Sequence, residues 1–325
     1  MADYNLKVVV IGGGTGLSTI LRGLKRYPLD ITAIVTVADD GGSSGNLRQD
    51  FHVPPPGDVR NVLVALSDVE PLVQELLQYR FSGNTGLAGH PTGNLLIAAM
   101  TDITGDFASA IKMLSEVLKV RGKVLPVSNS PLSLCAEYDD GTVAQGESCI
   151  PKLDKTIKRV YYNNSEPVAF SEAVEAILEA DMILLGPGSL YTSIIPNVLL
   201  GEIAQAVVKT KAPCVYLCNI MTQPGETTGF TAYDHVKAIE DHVGVKFIDK
   251  VIVNDEEVDP QTLQRYWAKN SGIVEIDANV LKSEEIEIIT SRIVAYSKSG
   301  EVRHNAKKVA ATVFSLLLDL EEIDY

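Results

Sequence analysis

The sequence predicts an α/β fold: a Rossmann-like, mostly parallel sheet flanked by helices. Two observations carry this prediction. Short apolar runs alternate with amphipathic helical patterns along most of the chain, and glycine-rich turns directly follow several of the runs. A length of 325 residues and an apolar content of 46% suit one large unit with a sizeable core, so we expect a single domain over residues 1–325.

Six apolar runs have the composition of buried parallel strands, and they cover residues 7–11, 31–37, 123–127, 182–185, 214–218 and 250–253. Amphipathic patterns predict helices at residues 17–25, 170–180, 203–209 and 233–243, with Ser171 as the N-cap of the second, and a C-terminal helix docked on the core. Two stretches depart from this alternation. Residues from about 58 to 120 predict a helical insertion, and residues from about 128 to 162 predict a small β-hairpin insertion with its turn at residues 139–141.

Charge and composition exclude several classes of function. The net charge of −14 argues against a nucleic-acid partner, because a phosphate backbone requires a basic surface. No apolar run approaches the roughly 20 residues of a membrane-spanning helix, and the first strand pattern begins too early to leave room for a signal peptide. We therefore expect a cytoplasmic protein. The four cysteines form no C-x-x-C motif and are expected to be reduced thiols without a metal.

The first glycine-rich turn, GGGTG at residues 12–16, lies between the first predicted strand and the first predicted helix. Such a turn places phosphate against the free N–H groups of the helix N-terminus. It matches the dinucleotide fingerprint G-x-G-x-x-G at Gly12 and Gly14, whereas Leu17 stands at the third glycine position, and no P-loop lysine follows. The prediction is nucleotide phosphate binding, with a purely structural turn as the alternative. The candidate contacts are Gly12, Gly13, Gly14, Thr15 and Gly16.

The second turn follows the second strand and reads DDGGSSG. Adjacent carboxylates in an extended segment point to opposite sides, so only one of Asp39 and Asp40 is expected to face the ligand. That carboxylate would bind a ribose hydroxyl or hold Mg²⁺ through water. Gly42, Ser43 and Ser44 would offer N–H groups to the same ligand. A flexible surface loop with a turn-forming Asp-Gly is the alternative.

A third segment, PPPGDVRN, places Asp58 where it can cap the next helix, with Arg60 and Asn61 in the first turn. A cation is unexpected at this position because the helix dipole favours anions at its N-terminus. A bound anion would explain Arg60, and a solvated arginine is the alternative.

Further candidates lie in four polar segments, two of which directly follow predicted strands, where open parallel sheets bind their ligands. They are His90 and Asn94 in GHPTGNLL, Gly186, Gly188 and Ser189 in GPGSLY, Asn219, Thr222, Gln223 and Glu226 in CNIMTQPGET, and Arg303, His304, Lys307 and Lys308 in EVRHNAKK. For His90 the alternative is a structural hydrogen bond. For the last, basic cluster the alternative is a solvated helix start.

Seven segments in this order closely resemble the gluconeogenesis-factor (YvcK-type) family: IGGGTGLSTILRGLK, VTVADDGGSSGNLR, PPPGDVRN, GHPTGNLL, GPGSLYTSIIPNVLL, CNIMTQPGET and VRHNAKK. The resemblance covers essentially the whole chain. This family is a branch of the superfamily that contains CofD, the phospholactate transferase of coenzyme F420 synthesis. The resemblance implies a CofD-like fold and a nucleotide ligand. For this branch the ligand is a UDP-sugar such as UDP-N-acetylglucosamine, and dinucleotides such as NAD(P) are a further option.

The resemblance also implies a bacterial protein that links gluconeogenic carbon flux to cell-wall precursors and cell shape, in a regulatory rather than a catalytic role. By this resemblance, residues 12–16 would cradle the diphosphate. The nucleotide pocket would be lined by Gly188, Ser189 and Asn219, and Arg303 would contact the ligand from the C-terminal side.

Three functions stay open at this point. A UDP-sugar sensor would regulate a protein partner without catalysis, and a homo-oligomer is compatible with that role. A CofD-type transferase would move a phospho-group from a nucleoside diphosphate donor to a hydroxyl acceptor, with Mg²⁺ and with Asp39, Asp40 and His90 as positioning groups. An NAD(P)-binding oxidoreductase would use the half-matched glycine turn. The family has Asp where this chain has Asn305, which weakens a metal-binding or base role at that position.

Overall fold

The structure is a computed structural model that describes residues 6–69 and 71–323. Its strands, in chain order, are β1 (Leu6–Gly12), β2 (Leu29–Val35), β3 (Lys123–Pro126), β4 (Leu134–Tyr138), β5 (Val143–Gln145), β6 (Ile157–Tyr162), β7 (Met182–Leu185), β8 (Cys214–Leu217), β9 (Lys250–Asn254), β10 (Glu287–Ser291), β11 (Val294–Tyr296) and β12 (Val302–His304). The prediction about a signal peptide concerns residues 1–5, which lie outside the described residues.

The helices, in chain order, are α1 (Gly14–Leu24), α2 (Gly42–Phe51), α3 (Gly57–Leu66), α4 (Pro71–Gln78), α5 (Thr92–Thr104), α6 (Phe107–Val117), α7 (Ser171–Leu178), α8 (Ile195–Val198), α9 (Gly201–Lys209), α10 (Ala232–Val243), α11 (Pro260–Trp267), α12 (Ala278–Ser283) and α13 (Ala306–Ile323). In addition, a 3₁₀ turn covers Glu147–Leu153, and a π-helical turn over Leu190–Ile194 leads directly into α8.

Seven strands form one parallel sheet in the order β3-β2-β1-β7-β8-β9-β10. The chain builds the sheet outward from β1 to β3 on one side and from β7 to β10 on the other. This is the doubly wound arrangement of Rossmann-like folds, and its strand order reverses between β1 and β7. The predicted α/β fold class is therefore confirmed.

Helices flank this sheet. Every residue of β7 and β8 is buried, as expected for central strands that are covered on both faces. Helix α1 packs against both α3 and α13, and α7 packs against α9. The predicted docking of the C-terminal helix is confirmed, because Val309, Val313 and Leu317 of α13 are buried in the core.

The structure departs from the predicted elements in four places. Helix α2 occupies the segment predicted as a glycine-serine loop. The edge strand β10 and the hairpin of β11 and β12 were not predicted, because β10 (EIITS) has no fully buried residue and so carries no continuous apolar run. Strand β2 ends at Val35, two residues before the predicted end of the run at residue 37. Ser171 does not cap α7, whose N-cap position is Phe170.

The two predicted insertions have the expected secondary structure, with one difference. Helices α3 to α6 lie between residues 57 and 117, but residues 79–91, between α4 and α5, contain no helix. Strands β4, β5 and β6 form a separate antiparallel sheet. Its predicted hairpin turn is confirmed, because the Gly141 N–H donates to the Tyr138 carbonyl at 2.9 Å.

The cysteines are free thiols, as predicted; Cys149 is exposed, and Cys135, Cys214 and Cys218 are buried. In the part of the chain that the structure describes, no single helix is long and apolar enough to cross a membrane. One bent pair, Leu190–Val198 with Gly201–Lys209, reaches that length and composition only when its two halves are combined.

A glycine-to-alanine exchange tests the contact between α1 and α13. A Cβ at Gly23 would overlap the carbonyl oxygen of Ala306, which is backbone and has little freedom to move. Gly23→Ala should therefore lower the free energy of unfolding by about 1–3 kcal/mol in urea titrations. Gly201→Ala is the control, because nothing lies within 4 Å of its new Cβ. Equal midpoints for both variants would contradict the described packing of α13.

Candidate functional site

The glycine turn forms one wall of a crevice at the carboxyl edge of the sheet. The turn leaves β1 at Gly12, and α1 begins at Gly14, whose φ is +67°. The N-cap residue, Gly13, has no side chain that could cap the helix, and the first turn contains no acidic residue. Apart from the Gly14 N–H, which donates to Asp58, N–H groups at this helix end remain available to an anion, and the helix dipole favours negative charge there.

The loops after β7 and β8 form the facing wall, and side chains link them. The Asn219 amide donates to the Gly188 carbonyl at 2.9 Å, and the Gln223 amide donates to the Ser189 hydroxyl at 2.9 Å. The hydroxyl of Thr222 accepts the Gly272 N–H at 2.9 Å. These polar side chains line the crevice, and their hydrogen bonds also fix the conformation of the loops that form this wall.

The hairpin of β11 and β12 closes the third side. His304 Nε2 donates to the Cys218 carbonyl at 3.0 Å, and burial lowers the pKa of His304 to about 4. The imidazole is therefore neutral near pH 7, with its proton on Nε2. Arg303 is exposed, and its guanidinium pairs with the exposed Glu301 at 2.6 Å. The cation on this wall is thus held only by a weak surface ion pair.

The crevice is open to solvent and has a volume of about 930 Å³, which is within the usual size range of small-molecule sites. Eleven predicted site residues line it: Gly13, Gly14, Thr15, Gly16, Gly188, Ser189, Asn219, Thr222, Gln223, Arg303 and His304. The remaining predicted residues do not line it: Gly12, Asp39, Asp40, Gly42, Ser43, Ser44, Arg60, Asn61, His90, Asn94, Gly186, Glu226, Lys307 and Lys308.

Asp58 supports the glycine turn from behind, a role that the sequence did not reveal. The prediction that Asp58 caps α3 is wrong, because the cap position is Pro56 and no side chain accepts from the helix start. Instead the Asp58 carboxylate accepts the Gly14 N–H. Burial raises the pKa of Asp58 to about 6, and this hydrogen bond opposes the shift. A cap and a turn support require the same residue type, so the sequence pattern alone could not separate them.

The carboxylates of Asp39 and Asp40 contact different segments, and neither lines the crevice. The Asp40 carboxylate accepts the Ser148 N–H at 2.9 Å and so anchors the β insertion. The Asp39 carboxylate accepts the Gly41 N–H at 2.8 Å, and its charge helps to raise the pKa of Asp58. Of the two carboxylates, Asp39 is therefore the one whose charge acts on Asp58, the residue that supports the glycine turn.

Glu147, at the start of the 3₁₀ turn, is a crevice residue that the sequence analysis missed. Burial raises its pKa to about 8, and the charges of Asp39 and Asp58 add to the shift. It was missed because it lies in the β insertion, far along the chain from the glycine turns. Near neutral pH a large fraction of Glu147 is therefore protonated.

Glu226 holds two loops of the site together. Its carboxylate accepts the Tyr191 N–H at 3.1 Å and the Thr192 hydroxyl at 3.2 Å, at the start of the π-helical turn. Burial raises the pKa of Glu226 to about 7, and these hydrogen bonds lower it. Its contacts are to the protein rather than to the crevice.

Several predicted residues form a separate buried network. Ser43, His90, Asn94 and Arg60 are each at most 9% exposed, and a chain of hydrogen bonds connects them. Asn61 is bonded to the same arginine. The predicted alternative of a solvated Arg60 is therefore wrong.

Across residues 6–69 and 71–323, no group of three or more His, Cys, Asp or Glu side chains is arranged to hold a metal ion. Asn305, which stands where the family has Asp, caps α13: its side-chain Oδ1 accepts hydrogen bonds from the N–H groups of Lys307 and Lys308, each at 3.2 Å.

Comparison with known proteins adds independent information. Residues 8–294 match the family described as 2-phospho-L-lactate transferase CofD. The gluconeogenesis factor of Bacillus subtilis is 52% identical over 97% of this chain and 98% of that protein. The gluconeogenesis factor of Listeria monocytogenes is 48% identical over 96% of this chain and 95% of its own length. A crystal structure of a Bacillus halodurans protein superposes with a TM-score of 0.93 at 51% identity, covering 95% of this chain and 99% of that one.

The pH dependence of stability tests the environment of Glu147. Folding raises the pKa of Glu147 from 4.5 to about 8, so its contribution to stability is complete below pH 4.5 and is lost as the pH rises to about 8. We expect the Tm to fall between about pH 6.5 and pH 8.5, and Glu147→Gln to make this slope shallower. Below that pH range, folding lowers the pKa of His304 to about 4, so His304 makes stability rise with pH and opposes the effect of Glu147.

The control is Glu166→Gln, an exposed surface exchange that should keep the wild-type slope. Folding also raises the pKa of Glu226, to about 7, so Glu226 likewise lowers the Tm as the pH rises. The slope of Tm against pH in Glu147→Gln should therefore be reduced rather than absent. Identical slopes of Tm against pH for wild type and Glu147→Gln would contradict the raised pKa of Glu147.

Proposed function

Because the chain belongs to the CofD family, and within it to the gluconeogenesis factors, we propose that its crevice binds a nucleotide sugar of the UDP-N-acetylglucosamine type. In this proposal the protein is a regulator in the cytoplasm that connects gluconeogenic carbon flux with cell-wall precursors and cell shape. It would act through a protein partner that responds to the bound nucleotide sugar.

One observation carries the ligand class: the N-terminus of α1, where Asp58 accepts only the Gly14 N–H, lies at the crevice at the point where the strand order reverses. Backbone N–H groups at such a helix end bind diphosphates, and open α/β sheets bind ligands at this switch point. The overall charge of −14 repels an anion, so these local donors, together with Arg303 and Lys269 on the crevice wall, would have to supply the attraction.

The rest of the crevice has the mixed lining that a nucleoside and a sugar require. Tyr266 and Tyr296 offer aromatic faces, and Ile220 and Met221 offer apolar contact. Amide and hydroxyl groups of the loop after β8 lie at the same surface. Aromatic and apolar walls with a few polar groups are typical of nucleotide sites, and a volume of about 930 Å³ leaves room for a sugar beside the base.

A second candidate is a CofD-type transferase that moves a phospho-group to a hydroxyl acceptor. The observation that favours it is the position of Glu147 on the crevice wall, in the electrostatic field of Asp39 and Asp58. Neither Asp39 nor Asp58 lines the crevice, so these two carboxylates do not fit a Mg²⁺ ion beside a diphosphate there. Only the deprotonated fraction of Glu147, which grows as the pH approaches its pKa of about 8, would accept the proton of the acceptor hydroxyl. The name of these relatives, gluconeogenesis factor, favours the regulatory role.

Calorimetry with UDP-N-acetylglucosamine, GDP and NADP, each with and without Mg²⁺, tests the proposal. We expect the UDP-sugar to bind most tightly and to be recovered intact after long incubation. Preference for GDP, or loss of a phosphoryl group from the bound nucleotide, would favour the transferase. Preference for NADP would favour a dinucleotide-binding protein, and either preference would overturn the UDP-sugar proposal.

The exchange Arg303→Ala should weaken UDP-N-acetylglucosamine binding by about tenfold or more, since a hydrogen bond to a charged group contributes about 1.5–3 kcal/mol. Its Tm should stay within about 2 °C of wild type, because the side chain is exposed and pairs only with Glu301. Arg22→Ala, an exposed exchange at the other end of α1, should leave the affinity unchanged. Unchanged affinity for Arg303→Ala would remove that residue from the site.

The exchange Gly14→Val should abolish nucleotide binding. A β-branched residue is strained at the Gly14 φ of +67°, and its side chain would crowd a phosphate at the helix end. Gly105→Val is the matched control, because Gly105 has a φ of +71°, has nothing within 4 Å of a new Cβ and lies outside the crevice lining. The control should lose stability and keep its affinity, and wild-type affinity in Gly14→Val would argue against phosphate at this turn.

A further inference from the structure

A further cavity, of about 200 Å³, is lined by residues of α2 and of the β insertion, and we call it the α2 cavity. Its lining residues are Asp40, Gly45, Arg48, Gln49, Ser133, Gln145 and Gly146. None of them lines the nucleotide crevice, so the two sites are separate spaces. A volume of this size holds several water molecules or one small metabolite.

Arg48, in the last turn of α2, is the cation of this cavity. Its side chain is half-buried, so the guanidinium has lost part of its hydration. Within the described residues it makes one hydrogen bond, in which Nη2 donates to the Ser133 hydroxyl at 2.7 Å. A guanidinium carries five N–H donors, so the donors of Nε and Nη1 remain available to a ligand.

Asp40 lines the same cavity and carries the opposite charge. Its Oδ1 accepts the Ser148 N–H at 2.9 Å, which fixes the carboxylate against the β insertion. Its Oδ2 accepts no hydrogen bond from the part of the chain that the structure describes. A Cβ at Gly146, whose φ is +97°, would overlap Oδ2, so glycine at this position keeps the space beside that oxygen clear.

The two charges line one space without forming an ion pair. Burial lowers the pKa of Arg48, and the charge of Asp40 opposes this shift, so each group lies in the field of the other. Nevertheless, Arg48 forms no salt bridge with any described residue. A half-buried cation and a carboxylate that share a cavity and remain unpaired suit a ligand that bridges them.

The signs of these charges restrict the class of ligand. Asp40 repels a simple anion and Arg48 repels a simple cation, whereas a molecule with a carboxylate and an ammonium group is attracted by both residues. The amides of Gln49 and Gln145 line the same cavity, and each amide can donate and accept hydrogen bonds. Such groups suit a polar side chain without charge.

We propose that the α2 cavity binds a small α-amino acid with an uncharged polar side chain, of the serine or glutamine kind. Arg48 takes the carboxylate of this ligand, Asp40 takes its ammonium group, and the two glutamine amides contact its side chain. The inference does not depend on which ligand the nucleotide crevice binds, because the two spaces share no lining residue.

Thermal unfolding with L-serine and L-glutamine tests the proposal. A ligand that binds the folded state raises the Tm, so at least one of the two amino acids, at about 10 mM, should raise it by about 2 °C or more. Glycerate and glutaramate lack the ammonium group, and serinamide and glutaminamide lack the carboxylate. These four analogues should leave the Tm unchanged. No response to either amino acid, or an equal response to the analogues, would overturn the proposal.

Two variants assign the two charges of the ligand. Asp40→Asn keeps an acceptor for the Ser148 N–H but removes the partner of the ammonium group. Its affinity for the amino acid should fall about tenfold or more, and the preference for the amino acid over the analogue without the ammonium group should be lost. Arg48→Gln should instead lose the preference over the analogue without the carboxylate. A merely structural role of these residues would lower the Tm of the free protein without changing which analogue is preferred.

Three controls separate the cavity from general effects of charge. Asp50→Asn, an exposed exchange on the same helix, and Arg22→Gln, an exposed exchange on α1, carry the same charge changes and should keep both preferences. Arg303→Ala should keep the full response to the amino acid, because Arg303 lines the nucleotide crevice. A response that is lost in Arg303→Ala and kept in Asp40→Asn would place the amino acid in the crevice and overturn the proposed site.

Discussion

The adjacency of β1 and β7 is the constraint on which the rest of the structure depends. The Gly186 N–H donates to the Ile11 carbonyl at 2.9 Å, so the two strands are joined up to their carboxyl ends. Beyond that point the chain leaves them in opposite directions, because one half of the sheet grows towards β3 and the other towards β10. The gap between the diverging loops is the crevice, and α1 enters it with its N-terminus first.

Electrostatics divide the carboxyl edge of the sheet into two regions of opposite character. The crevice face of the glycine turn offers donors, while Asp58 accepts a hydrogen bond from the turn on its other side. That carboxylate, with Asp39 and Glu147, forms an acidic region in which the charge of Asp39 helps to raise the pKa of both Asp58 and Glu147. In a chain with a net charge of −14, a diphosphate would be recognised by geometry at close range rather than by long-range attraction.

Sequence patterns predicted the elements whose burial is uniform and missed those whose role is set by distant neighbours. The central strands are continuous apolar runs, so they were found; β10 is half exposed, and α2 begins with glycine and serine, which favour loops. Nine of the eleven predicted crevice residues were found because they directly follow β1, β7 and β8, and the carboxyl ends of parallel strands meet at one edge of a sheet; Arg303 and His304 were found instead as part of a basic cluster. Glu147 and the turn support by Asp58 were not, since both depend on a packing of separate segments that no local spacing records.

The hairpin that carries Arg303 and His304 gives the crevice an unusual order of assembly. During synthesis the glycine turn, β7 and β8 emerge first, and each can pair within the growing sheet as soon as it is available. The third wall exists only after β12 has emerged and His304 has reached the Cys218 carbonyl, with α13 following directly behind it and packing on α1. A nascent chain on the ribosome can therefore build most of the sheet while its pocket is still open on one side. The third wall of the crevice is therefore the last of the three to be completed along the chain.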